Sequence, residues 1–227
     1  MTTEVTRAVE IEHVPGVVIA GDLHVPAGAF GTVVFAHGSG SSRHSPRNRM
    51  VAARLRDRGL ATLLIDLLTN DEEREDARTG HLRFDIGLLA DRLATAATWT
   101  QDQPGVRGLP LGYFGASTGA GAALVAAAWQ PAGVGAVVSR GGRPDLAGDD
   151  LGRVEAPTLL IVGARDDVVI GMNREAAQRL RAPWRLEIID GATHLFEEPG
   201  ALERVASLAG DWFHEHLAAP CSVDETR

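Results

Sequence analysis

Short apolar runs alternate with longer stretches of helical period, and that alternation organises almost the whole chain. The runs GTVVFAH (31–37), ATLLID (61–66), LPLGYFG (109–115), GAVVSR (135–140), PTLLIVG (157–163) and WRLEIID (184–190) are rich in Val, Ile and Leu and read as buried strands. Helical patterns separate them near 46–58, 84–101, 118–129, 171–181 and 200–217. Two further extended stretches, 6–13 and 17–24, meet at Pro15-Gly16 and predict a hairpin forming an antiparallel edge. Eight strands and about five major helices in βαβ alternation predict an α/β fold, with a mostly parallel eight-stranded sheet flanked by helices. The acidic run DEERED at 71–76 has no apolar period and is expected to be a solvated loop.

With 227 residues, one core is expected, spanning about 17–217 and followed by a polar tail at 218–227. Hydrophobic residues make up 44% and charged residues 23%, with a mean hydropathy of -0.03, the balance of a globular domain. A net charge of -8 offers no general attraction to nucleic acid or anionic membranes, so neither is expected as a partner. The N-terminus lacks a basic stretch followed by an apolar run of signal-peptide length, and no apolar segment approaches a membrane span. A cytoplasmic protein is expected.

Cys221, the one cysteine, lies in the tail, so no intrachain disulfide or CxxC motif is possible. All 22 basic residues are Arg. Without lysine there is no P-loop, no pyridoxal Schiff base and no SxxK acyl-enzyme chemistry. His214 and His216, two apart on a helix, face different ways, and His24, His44 and His81 show no ligand spacing. No metal and no organic cofactor is expected.

The segment LGYFGASTGAGAALVAAA runs an apolar strand straight into Gly115-Ala116-Ser117-Thr118-Gly119 and then an alanine-rich helix. That is G-x-S-x-G in strand-turn-helix context. Such a turn strains the serine and requires tiny residues two before and two after it. A nucleophilic serine also needs a base and an orienting carboxylate, and α/β folds deliver these from the carboxyl ends of strands. GARDDVV supplies Asp166 or Asp167, with the other able to cap the following helix, and GATHLF supplies His194. Two backbone N–H groups must also face the developing oxyanion. Thr118 supplies one; in HGSGSS, Ser39 is the choice for the second and Gly40 the reserve. His37 is expected to shape that loop by a hydrogen bond.

Taken together, HGSGSSRHSPRN, GASTG, GARDDVV and GATHLF resemble the α/β-hydrolase superfamily, and within it the small, lidless dienelactone hydrolase-like group, over about 17–217. SRHSPRNRMVA, LLIDLLT, SRGGRPDLAG and HLFEEPG look closest to the hydrolase domain found fused to phosphoribosyltransferases in some bacteria, here expected to stand alone. The superfamily's spacing maps onto Gly163, Asp166 and Val169, which favours Asp166 over Asp167. Dienelactone hydrolases proper use a cysteine where this chain has Ser117, a departure that points to a broader esterase. The resemblance implies a Ser117-His194-Asp166 triad working through an acyl-enzyme on a small soluble ester or lactone, without a cofactor. About sixteen residues separate Arg140 from the strand starting near Pro157, too few for a substantial helical lid, so an open, shallow site is expected. Arg140 and Arg143 would lie near the site, where either can hold a substrate carboxylate or form a structural salt bridge; Arg43 invites the same two readings.

Two rivals compete. Gly115, Gly119 and Gly121 also spell the GxxxGxG of short-chain dehydrogenases, but those resemble one another in an N-terminal glycine motif and a Tyr-x-x-x-Lys pair, both missing here. A non-catalytic ligand-binding protein of the same fold is the other rival, and such proteins usually lose a triad member.

Overall fold

The predicted hairpin forms: β1 (Val5–Val14) and β2 (Val17–Val25) pair antiparallel around Gly16, whose φ of 84° suits the turn. The computed structural model, which describes residues 4–218, builds one eight-stranded sheet outward from this edge. The remaining strands are β3 (Gly31–Ala36), β4 (Leu60–Ile65), β5 (Leu111–Ala116), β6 (Ala136–Arg140), β7 (Thr158–Gly163) and β8 (Trp184–Ile189). Their order is β1-β2-β4-β3-β5-β6-β7-β8, with β2 antiparallel to β4 and every later pairing parallel. β5, the strand that leads into Ser117, therefore lies mid-sheet, fully buried.

The central strands are apolar on both faces because helices cover both. Val33, Phe35, Phe114 and Val138 pack with α1 (Pro46–Arg56) and α6 (Ala201–Leu217). Val34, Leu63, Tyr113 and Val137 face the opposite layer, built from α3 (Ile86–Gln101) and α4 (Thr118–Trp129). α4 is apolar all round and buried from Thr118 to Ala128, since β5 lies on one side and α3 and residues 144–153 on the other. α5 (Asp167–Ala177) flanks β7 and β8.

One expectation fails. The acidic run lies inside a helix, α2 (Asn70–Thr79), and not in a loop, giving six helices among the described residues. Thr69 and Glu72 close a capping box, and Gly80 ends the helix at a φ of 69°. Glu72 reaches the buried Arg92 of α3 with both oxygens, while Asp76 receives Arg83 and the Leu82 and Arg83 N–H groups. These charge-assisted contacts anchor a helix that has no apolar stripe. Burial alone would raise the Glu72 carboxyl; its bonds to Arg92 and Thr69 outweigh that and hold it at about 2. The segment 144–153 forms short 3₁₀ turns against α4 and contributes no helical lid. Cys221 and the tail beyond 218 lie outside the described residues.

Candidate active site

Ser117 occupies the turn between β5 and α4 with φ 50° and ψ -122°, one of two described non-glycine residues at positive φ. The glycines around it are demanded by contact. A Cβ on Gly115 would sit 2.4 Å from Ala120 Cα, and one on Gly119 would sit 2.4 Å from the carbonyl oxygens of Ala36 and His37. Either side chain would drive strand and helix apart. The segment after β6 braces the turn from below: the Ser117 N–H donates to the Arg140 carbonyl at 3.2 Å, and the Arg143 N–H donates to the Ser117 carbonyl at 3.0 Å.

His194 and Asp166 meet across two loops that are pressed together. A Cβ on Gly163 would lie 2.4 Å from the Ala192 carbonyl, and the Arg165 N–H donates to that same carbonyl at 2.9 Å. His194 Nδ1 lies 2.6 Å from Asp166 Oδ2, which leaves Nε2 free to accept a proton. The histidine loop carries the second strained residue, Phe196, buried at φ 57°, beside Gly141. Gly141 in turn lies under His194, within 3.5 Å of Cε1 from its would-be Cβ, and joins directly to Arg140 behind Ser117. No Ser117–His194 hydrogen bond forms among the described residues.

Of the two neighbouring aspartates it is Asp166 that contacts His194, and the expected capping role of Asp167 is corrected. Asp166 itself takes the N-cap position of α5, and its carboxylate makes no capping bond because it is turned to His194. Asp167 is the first helical residue, where its charge favours the helix dipole without capping it.

The loop from His37 to Ser45 is pinned throughout. His37 Nδ1 donates to the Gly38 carbonyl at 2.9 Å while Nε2 accepts the Leu67 N–H at 3.0 Å, so the ring is held neutral and burial lowers its pKa. That is the shaping role expected of it. The Ser39 N–H donates to Thr118 Oγ1 at 2.9 Å, joining the two residues chosen for the oxyanion. Gly40, at φ 67°, completes a turn closed by the Ser41 N–H on the Gly38 carbonyl at 3.2 Å.

Arg43 pairs with Asp66 and lies 3.6 Å from Asp22, and Arg143 pairs with Asp145 through two bonds of 2.8 and 2.7 Å. Both therefore carry the salt bridges that the sequence left open. Arg140 differs, because it is buried and makes no ion pair among the described residues.

A cavity of about 470 Å³ opens next to Ser39, Gly40 and Thr118, with α2 residues Glu73 and Asp76 and nearby Arg83 on its far wall. Ser117 and His194 do not line it. The acidic helix α2 thus forms part of the wall of this neighbouring cavity. Sequence reasoning also missed Asn173, fully buried on α5, whose Nδ2 donates to the Gly142 carbonyl at 3.0 Å and so ties the Asp166 helix to the segment behind Ser117. No local sequence signal marks that contact.

Residues 18–217 match the dienelactone hydrolase family. The chain belongs to the dienelactone hydrolase family. Within it, the chain is 60% identical to a dienelactone hydrolase from Anabaena variabilis of known crystal structure, covering 94% of this chain and 99% of that one, with a TM-score of 0.91. Est1E from Butyrivibrio proteoclasticus, 16% identical over 93% of this chain and 99% of its own, has a TM-score of 0.78 and shares the fold. Two Mycobacterium tuberculosis proteins provisionally named phosphoribosyl transferases are 60% identical over 215 residues, 94% of this chain. The chain spans about half the length of those relatives, 48%. As a dienelactone hydrolase family member it is an α/β hydrolase. No helix among the described residues is long and apolar enough to cross a membrane.

Proposed function

We propose that this hydrolase is a serine esterase, cleaving a small soluble carboxylic ester or lactone in the cytoplasm through Ser117, His194 and Asp166. The observation that carries the reading is the 2.6 Å contact of His194 Nδ1 with Asp166, on the sheet edge where Ser117 occupies its strained turn. Ser117 Oγ attacks the carbonyl carbon while His194 Nε2 takes its proton, and the negatively charged Asp166 stabilises the imidazolium. The Thr118 N–H, at the first position of α4 and so without an intrahelical acceptor, meets the oxyanion together with the Ser39 N–H. Collapse expels the alcohol, which receives the proton from His194. Water then cleaves the acyl-enzyme with the same histidine as base.

The rival reading, a ligand-binding protein without catalysis, draws on the missing Ser117–His194 hydrogen bond. Such bonds are commonly long before substrate arrives. The test is release of p-nitrophenol from its acetate and butyrate esters, beside Ser117→Ala, with a fluorophosphonate probe. Activity and labelling that both disappear in the variant support the esterase; neither signal in the wild type overturns it.

A further inference from the structure

The cavity of about 470 Å³ beside Ser39 and Thr118 extends from the oxyanion loop to α2. Leu68 and Leu89 give it an apolar lining, while Glu73 and Asp76 enter from α2, three residues apart and so on one helix face. Asp76 is fully engaged, accepting from Arg83 Nε and from the Leu82 and Arg83 N–H groups. Glu73 is not. Its half-buried carboxylate makes no hydrogen bond and no ion pair among the described residues. Burial, and after it the neighbouring charge of Asp66, raises this carboxyl from its usual value; Arg43 opposes the shift but is already bridged to Asp66. The cavity therefore presents a ligand with one anion that lacks a partner.

The chemistry at Ser117 decides which part of a substrate would reach it. A tetrahedral carbon there carries four groups: Ser117 Oγ, the oxyanion, the alcohol oxygen and the acyl chain. The oxyanion meets the Ser39 and Thr118 N–H groups, and the alcohol oxygen must face His194 to receive its proton. Ser39 and Thr118 both border the cavity, and His194 does not. The space beyond the oxyanion loop is thus left to the acyl chain, whose methylenes suit the leucines on the way to Glu73.

We propose that the substrate's acyl chain occupies this cavity and ends in a cationic amino group held by Glu73, so that the preferred substrates are esters of amino-terminated alkanoic acids. An ammonium supplies both the missing charge and N–H donors to the carboxylate. A chain ending in a carboxylate would instead meet a like charge. The proposal rests on the serine esterase reading for the bond that is cleaved, while binding of the amine does not depend on catalysis.

Three p-nitrophenyl esters of matched length test it at pH 7.5: the 6-aminohexanoate, the heptanoate and the monopimelate, which end in an ammonium, a methyl and a carboxylate. In the wild type kcat/KM should fall in that order, with the amino ester ahead of the heptanoate by about tenfold. Glu73→Gln should bring that ratio close to one. Gln keeps the shape and the helix propensity and breaks no bond, so an unaltered melting temperature checks that the variant folds. Binding is read separately, from the melting temperature against increasing 6-aminohexanamide or heptanamide. The amine should stabilise the wild type in a saturable way, beyond the uncharged amide, and leave Glu73→Gln unmoved. Such stabilisation without hydrolysis of any ester leaves the amine site standing and removes the esterase reading. Equal kcat/KM for the amino and heptanoyl esters, a preference that survives in Glu73→Gln, or no stabilisation by the amine overturns the proposal, and hydrolysis lost in Ser117→Ala would still support the esterase.

Discussion

The Ser39 N–H donates to Thr118 Oγ1 at 2.9 Å, so one proposed oxyanion donor rests on the side chain of the other. In turnover the carbonyl oxygen must replace that hydroxyl as the acceptor. Thr118→Val removes the resting acceptor, and loss of one such bond should lower stability by about 1 kcal/mol while kcat stays within about threefold. Urea unfolding and ester kinetics read both. A fall of about a hundredfold in kcat would instead assign the oxyanion contact to the hydroxyl.

Asp166 and Asp167 are neighbours with different surroundings, and mutating each separates their roles. Asp166→Asn should keep the fold and reduce kcat by about 10³–10⁴-fold, because an amide no longer fixes the tautomer or stabilises the imidazolium. Asp167→Asn, which touches no other predicted site residue, should change kcat less than threefold. Steady-state kinetics on p-nitrophenyl acetate distinguish them.

The glycines make a graded series for thermal unfolding. Gly115→Ala and Gly119→Ala put a Cβ at 2.4 Å from backbone atoms and should cost about 3 kcal/mol or more. Gly171→Ala, inside α5 with nothing within 4 Å, should stabilise the protein by about 0.5–1 kcal/mol.

Acid should weaken the fold in two windows. The His37 pKa is lowered from 6.5 by burial, so the folded state binds fewer protons than the unfolded one; its contribution is complete above pH 6.5 and fades as pH falls through the lowered value. Glu72, held at about 2 against 4.5 unfolded, contributes fully above pH 4.5 and loses that contribution between 4.5 and 2. Denaturant melts at stepped pH should show the second window flattened in Glu72→Gln, which also melts lower at pH 7 because Arg92 loses its counter-ion.

Much of this site was legible because its residues stand at chain positions that strand periodicity defines. The apolar runs ending at Ala36, Ala116, Gly163 and Ile189 put the loops of Ser39, Ser117, Asp166 and His194 on one edge of the sheet. The start of α5 was read four residues late, at 171 against an observed 167, because Asp166-Asp167 looked like loop. α2 was missed for a related reason. Its sequence NDEEREDART has nothing to bury, and what holds it, Glu72 on Arg92 and Asp76 on Arg83, joins residues up to twenty positions apart. The Thr69-to-Glu72 spacing was the available signal, outweighed by the charge run. Likewise no pattern in SRGGRPD separates Arg140 from the paired Arg143; Arg140 is the buried last residue of β6, whereas Arg143 lies beyond the strand, where Asp145 is within its reach.

The N-cap of α5 is occupied by a carboxylate that does not cap. Two clients compete for one side chain at Asp166, the imidazole and the first turn of the helix, and the imidazole holds it. Residues suited to close that helix end, such as Ser or Thr, would firm it up by roughly 1 kcal/mol at the expense of the histidine's partner. Position 166 is therefore a place where durability and turnover pull in opposite directions, and a sequence optimised for one would abandon the other.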